Sequence, residues 1–357
     1  MIWEGLLVSV LVCFMLDPLI FHLLRSLEIY DYPNTRSVHR VAILTMGGIL
    51  IISGYCAGLL YLLFSQKIPL DAGAFQLFAS ILAGAFCMAI LGSIDDLLDL
   101  GPVTKFLVES LIALLMCYNG LVLESINFFG IFIQLGVFSI PFTVLWIVGI
   151  INAINFMDGL DGLAGGICLI IILTLALSPQ TTPLSGYFLP GLMGGIVIFL
   201  LRNSYPASIY MGDVGSLFLG FHVAVFSILV LPFDHPNCGP FGLLALLGIP
   251  LLDTIIAIIR RAYSHQVLFH ADKAHIHHKL LEKMSHRNAV GLIYGISSLL
   301  SILVILSLGL ETIKAQTALL LGSALILGGL LAYVYGMKTK HAEPSPELVE
   351  NQSNQIE

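Results

Sequence analysis

Apolar stretches of about 20 residues recur along the whole chain, each long enough to cross a bilayer as a helix. This repetition constrains the fold more than any other feature, because the backbone of such a segment has no water to bond and pairs best within a helix. Composition agrees. Of 357 residues, 58% are hydrophobic and 10% charged, against about 25% charged in soluble domains, and the mean hydropathy is +0.98. The chain reads as an all-α polytopic membrane protein of about eleven transmembrane helices. They are expected near 2–25, 44–64, 75–94, 103–119, 138–157, 163–178, 186–202, 214–231, 240–260, 289–310 and 315–337. The first lacks a small-residue cleavage site and is expected to be retained. Between the fourth and fifth, "LVLESINFFGIFIQLGV" alternates and contains Asn and Gly, which predicts a short outer hairpin.

Lys and Arg set the orientation. With the N-terminus outside, thirteen of the fifteen basic residues fall on the inner side, and only Lys67 and Lys314 lie outside. Five of the six cysteines lie within spans, leaving Cys238 alone in an outer loop, so neither a structural disulfide nor a zinc pair is expected. Residues 1–340 read as one integral membrane unit, and the polar 341–357 as a disordered cytoplasmic tail.

In this topology five polar segments converge on the inner face: "DYPNTRSVHR" (31–40), "GSIDDLLDLGPVTK" (92–105), "NAINFMDGLDGLAGG" (152–166), "YMGDVGSLFLG" (210–220) and "HADKAHIHHKLL" (270–281). Asn152, Asn155 and Asp158 recur every third residue and share a helix face. Gly159 and Gly162 are expected to turn the chain and leave amides open to a ligand. A charge at the bilayer centre costs roughly 2.5–3.5 kcal/mol, and a helix end over a wet cavity avoids much of that. Helix capping alone would explain one or two of the segment's four Asn and Asp residues, Asn152, Asn155, Asp158 and Asp161.

Adjacent Asp95 and Asp96 repel, so they stay solvated or share a cation; a solvated helix end is the ordinary alternative. Lys105 either snorkels to the interface or meets a phosphate as a point charge. Asp213, between glycines, is a cap or a hard-oxygen ligand suited to Mg²⁺. His275, His277 and His278 could hold zinc, but flanking Lys273 and Lys279 favour an anion. In the first segment Asn34 marks a turn, followed by Arg36, His39 and Arg40; a positive-inside anchor suits Arg40.

Taken together, "PNTRSVH", "IDDLLDL", "NAINFMDGLDGL", "MGDVGS" and "HIHH" resemble the motifs of the polyprenyl-phosphate N-acetylhexosamine-1-phosphate transferase family over about residues 30–281. Within it the chain resembles the branch that starts O-antigen, common-antigen or teichoic-acid linkage synthesis. It is less similar to the pentapeptide branch, whose histidine segment and Lys-rich stretch differ. The resemblance implies transfer of a sugar phosphate from UDP-N-acetylhexosamine, GlcNAc by default, to undecaprenyl phosphate, with release of UMP. It implies Mg²⁺, with Mn²⁺ as a substitute, held by Asp213 and Asn155. Asp95, Asp96, Lys105, Asp158 and Asp161 would be catalytic. Asn34, Arg36, His39, Asn152, Asn155, His275, His277 and His278 would bind substrate. The implied setting is a bacterial cytoplasmic (inner) membrane with the active site facing the cytoplasm, and a homodimer is allowed. No nucleic-acid partner is expected. A transporter would place its acids near the midplane, often with internal repeats; a lipid-binding scaffold would need no metal ligands. Neither suits acids gathered at inner helix ends.

Overall fold

The computed structural model describes residues 2–31, 42–65, 72–263 and 275–336. Asn34, Arg36, His39, Lys273 and the 341–357 tail lie outside the described residues. The chain runs α1 (Ile2–Ser26), β1 (Tyr30–Asp31), β2 (Ile43–Leu44), α2 (Gly48–Phe64), α3 (Ala72–Leu98), α4 (Pro102–Tyr118), β3 (Ser125–Phe128) and β4 (Ile131–Gln134). It continues through α5 (Ser139–Met157), α6 (Leu163–Leu177), α7 (Pro183–Asn203), α8 (Gly212–Val230), α9 (Gly239–Leu246), α10 (Gly248–Tyr263), α11 (Ile276–Leu281), α12 (His286–Ser307) and α13 (Thr312–Gly336).

All eleven expected apolar segments are helical over most of their length. Among the described residues, seven helices are long and apolar enough to cross a membrane, or eight if the bent pair α9–α10 is one span. The chain is thus a multi-pass helical membrane protein. The segment expected as one span over 240–260 is broken, with α9 and α10 meeting at 84°. Gly248 opens α10 and Pro250, in its first turn, lacks the N–H a continuous helix would need. The second expected segment becomes helical at Gly48, not 44: Leu44 pairs with Tyr30 and bridges to Ile209, which holds this stretch extended. The predicted hairpin is present. β3 and β4 pair antiparallel, and Phe129 and Gly130 both take positive φ, as a tight hairpin turn requires.

Burial ranks the helices. The most apolar stretch of α8 is 89% buried and that of α7 83%, against 11% for α1 and 17% for α13. A helix apolar all round belongs at the centre, and Phe218, Phe221 and Phe226 of α8 pack there with Tyr55 and Phe188. α6 is short, at 15 residues. Arg202, near the end of α7, grips Asp17 of α1 at 2.7 Å and lies over Phe21, tying the outer helix to the core.

One close approach positions the site. A β-carbon on Gly92 of α3 would overlap the Asp213 carbonyl at the start of α8. Only hydrogen fits, so the two helix ends touch backbone to backbone.

Candidate active site

Where α3 meets α8, consecutive carboxylates diverge, because a helix turns about 100° per residue. Asp95, buried, faces α4 and accepts from Lys105 Nζ at 2.6 Å and from the Leu100 amide at 2.8 Å. Asp96 faces α8 and accepts from the Asp213 and Val214 amides at 2.8 and 3.0 Å. Asp96, not Asp213, therefore caps α8. Gly212 makes room: at φ +71 it takes a left-handed turn, and a β-carbon there would press on the Asp96 carboxylate.

That arrangement frees the Asp213 side chain. Lys105 reaches its Oδ2 at 3.0 Å, so one ammonium bridges Asp95 and Asp213 from two other helices. The Asn155 amide donates to Asp213 Oδ1 and to Ser216 Oγ, both at 2.8 Å. Lys105 thus neither snorkels outward nor stands alone. Asn152 is turned away from this group, donating at 2.6 Å to Glu109, a carboxylate only 1% exposed in the middle of α4.

α5 ends at Met157 and Asp158 is its C-cap. Of the two glycines expected to turn the chain, Gly162 does so at φ +81, while Gly159 is not left-handed. The Gly162 amide is not open to a ligand either, since it donates to Asn203 Oδ1 at 2.9 Å. Gly159 instead gives space to His277, whose Nε2 would lie 2.6 Å from a β-carbon there. Asp161 accepts from the Ala207 amide at 2.9 Å, and Tyr294 of α12 donates to the Gly162 carbonyl.

These groups border a cavity of about 1020 Å³ whose wall includes Asp31, Asp96, Asp158, Asp161 and Asp213, with Arg25, His278 and His286 as its bases. The expected residues Asp95, Asp96, Lys105, Asn155, Asp158, Asp161 and Asp213 are therefore brought to one place. The histidines divide. His278 reaches the cavity wall; His275 and His277 are 6% and 1% exposed and turn toward Asp253 of α10, which the motifs did not include. Asp253 and Glu109 share a signal in the sequence, a lone acid inside an apolar run.

Burial, then the charges of Asp213, Asp96 and Asp161, push the Asp158 carboxyl up to about 8. An acid that holds its proton more tightly when folded stabilises the protein fully below its unfolded pKa, near 4, and loses that contribution as the pH climbs through about 8. In metal-free buffer, the stability of Asp158→Asn relative to wild type should therefore rise between pH 5 and 8. The rise should be on the order of 1–3 kcal/mol, since water screens a partly exposed carboxylate. Melting curves in detergent read this directly, and a difference flat with pH would show that Asp158 carries no such load.

Comparisons with known proteins identify the family. Residues 78–231, from α3 through α8, match the model of Glycosyl transferase family 4. The chain is 36% identical to a probable undecaprenyl-phosphate N-acetylglucosaminyl 1-phosphate transferase of Bacillus subtilis over 307 residues, 83% of this chain and 82% of that protein. It is 30% identical over 325 residues to an undecaprenyl-phosphate alpha-N-acetylglucosaminyl 1-phosphate transferase of Yersinia pestis, covering 88% of this chain and 85% of that one. A phospho-N-acetylmuramoyl-pentapeptide-transferase of Thermotoga petrophila is 28% identical over 276 residues, 74% of this chain and 84% of that one. The chain is a helical membrane transferase. It belongs to glycosyl transferase family 4, among relatives that act on polyprenyl phosphates.

Proposed function

We propose that this protein transfers N-acetylhexosamine-1-phosphate, GlcNAc-1-phosphate by default, from a UDP-sugar to undecaprenyl phosphate, releasing UMP and forming the lipid diphosphate sugar that starts a surface polysaccharide. The observation that carries this reading is the meeting of Asp95, Lys105 and Asp213, from three helices, beside an acid-lined cavity at helix ends. The names of the relatives supply the substrate class. The reading includes eleven crossings and a site facing the cytoplasm of a bacterial inner membrane, for which the thirteen-to-two split of basic residues is the support.

Attack on a diphosphate is catalysed mainly by positioning and by neutralising charge. A phosphate monoester has its second pKa near 6, so the lipid acceptor is mostly dianionic at neutral pH and needs little help from a base. Asp95, already engaged by Lys105 and an amide, would then hold Lys105 toward the phosphates, and direct attack is favoured over a covalent enzyme intermediate. His278 would donate to phosphate oxygens from the cavity wall. The donor set suits Mg²⁺, which takes hard oxygens and commonly uses one or two carboxylates completed by substrate phosphates. Among the described residues no three His, Cys, Asp or Glu side chains gather closely enough to hold a metal alone. Asp213, with Asn155 on it, would be the protein's contribution, and the ion would neutralise the diphosphate; Mn²⁺ would serve in its place.

Vesicles test both the chemistry and the orientation. Inverted membrane vesicles given undecaprenyl phosphate, Mg²⁺ and radiolabelled UDP-GlcNAc should yield label in the lipid extract, whereas sealed right-side-out vesicles should not until permeabilised. A panel of other UDP-N-acetylhexosamines identifies the sugar. No labelled lipid from any of them would rule out the transferase reading, and label from intact right-side-out vesicles would reverse the topology.

A further inference from the structure

Asp253 lies in the interior, 2% exposed, on α10, and the mechanism above gives it no task. Its Oδ1 accepts from the Ile276 amide at 2.7 Å, which starts α11. Its Oδ2 lies 3.0 Å from His275 Nδ1 and 3.6 Å from His277 Nδ1. The second distance is too long for a hydrogen bond, and His277 Nδ1 is buried with no other partner. The two imidazoles are stacked 5.5 Å apart at 13°, so one carboxylate faces both rings along one edge. The opposite edge of His277 carries Nε2 against Gly159, which lines the acidic cavity.

We propose that Asp253 is a positioning residue for the proposed transfer reaction, holding His277 with Nδ1 toward α10 and Nε2 toward the cavity. The role rests on the function proposed above. A carboxylate beside Nδ1 orients the ring, so that Nε2 is the nitrogen turned toward Gly159 and the cavity it lines. Among the described residues, the charged groups near the histidines include Arg261 on α10 (over the Phe156 ring that packs on His275), His278 and Lys279 on α11, and Asp158 next to Gly159. Lys279 is drawn to the Tyr335 ring of α13, 3.8 Å away. Asp253 is the one acid of α10 and supplies the negative charge on that side.

A merely structural role is separable from this one. Asn caps a helix about as well as Asp, so Asp253→Asn keeps an acceptor for the Ile276 amide but loses the charge. Purified wild type, Asp253→Asn and Asp253→Glu would be compared for kcat, KM for UDP-GlcNAc and melting temperature. We expect kcat in the Asn variant to fall about 100-fold, the scale of losing one preorganised donor, with melting shifted by no more than a few degrees. The Glu variant should recover part of the rate. If Asn also melts early, rate recovered in Glu without recovered stability supports positioning; rate that follows stability through both variants overturns it. Full activity in Asp253→Asn beside an active wild type overturns this role alone. A wild type that labels no lipid removes the transferase reading and this role with it.

Discussion

Asp213→Asn is expected to abolish transfer while the protein still inserts and melts as wild type does. The two parts of that outcome have separate physical causes. α8 is capped by Asp96, whose oxygens hold the Asp213 and Val214 amides, so changing the Asp213 side chain leaves the helix start intact. Lys105 keeps Asp95 at 2.6 Å, so no buried ammonium is stranded. What disappears is the one carboxylate reached by both Lys105 and Asn155, and with it the negative charge proposed to hold Mg²⁺. A loss of at least about 10³-fold is expected, the upper scale of removing one preorganised electrostatic group. A second reading comes from heat: Mg²⁺ should raise the melting temperature of wild type and not of the variant, because a ligand stabilises only a state that binds it. Near-normal turnover in the Asn variant would reduce Asp213 to an ordinary helix-start residue.

Gly92→Ala should disable the enzyme from a position that touches no substrate. The added methyl overlaps the Asp213 carbonyl, and backbone cannot rotate out of the way as a side chain can. Overpacking of this kind typically costs about 1–3 kcal/mol. The larger effect is geometric. Pushing α3 from α8 draws Asp96 off the amides it caps and Asp95 away from the Lys105 bridge, and displacements near 1 Å at a reacting centre can cost about 100-fold. A modest drop in melting temperature with a rate loss of that order is the expected pair. Gly84→Ala, on the same helix, has as its nearest neighbours the Phe221 ring and the Ile112 side chain rather than backbone, and should lose stability with little effect on rate. Equal rate losses in the two variants would mean that general loosening of the α3–α8 pair, not the backbone contact between Gly92 and Asp213, is responsible.

The sequence was most readable where one chemical rule acted alone. Long apolar runs became helices, and the alternating stretch after α4 became a hairpin. The "MGDVGS" and "IDDLLDL" segments came together because polar residues concentrate at the same helix ends. Contacts across the chain were not readable. No local pattern marks Asp96 as the cap of a helix that begins 116 residues later, nor assigns its neighbour Asp95 to Lys105. The bend between α9 and α10 escaped because apolar residues continue through it, although Gly248 and Pro250 were visible breakers. Asp253 and Glu109 were hard to read for a related reason: each is a single acid without a motif around it. A lone carboxylate in a greasy run is the costlier placement, and both have partners that offset the cost, a histidine and a helix-start amide for Asp253 and an asparagine for Glu109.

The shortness of α6 bears on depth. At 1.5 Å per residue its 15 residues extend about 22 Å, while the hydrocarbon layer is about 30 Å thick. The helix alone falls short of that thickness, so the loops flanking it complete the crossing, and the end it presents to the cavity is the "DGLDG" loop. In the proposed reaction, a floor recessed below the headgroups would let a soluble nucleotide descend through a wet shaft while a lipid phosphate stayed at its own level. The two reactants would meet without either one being extracted from its solvent.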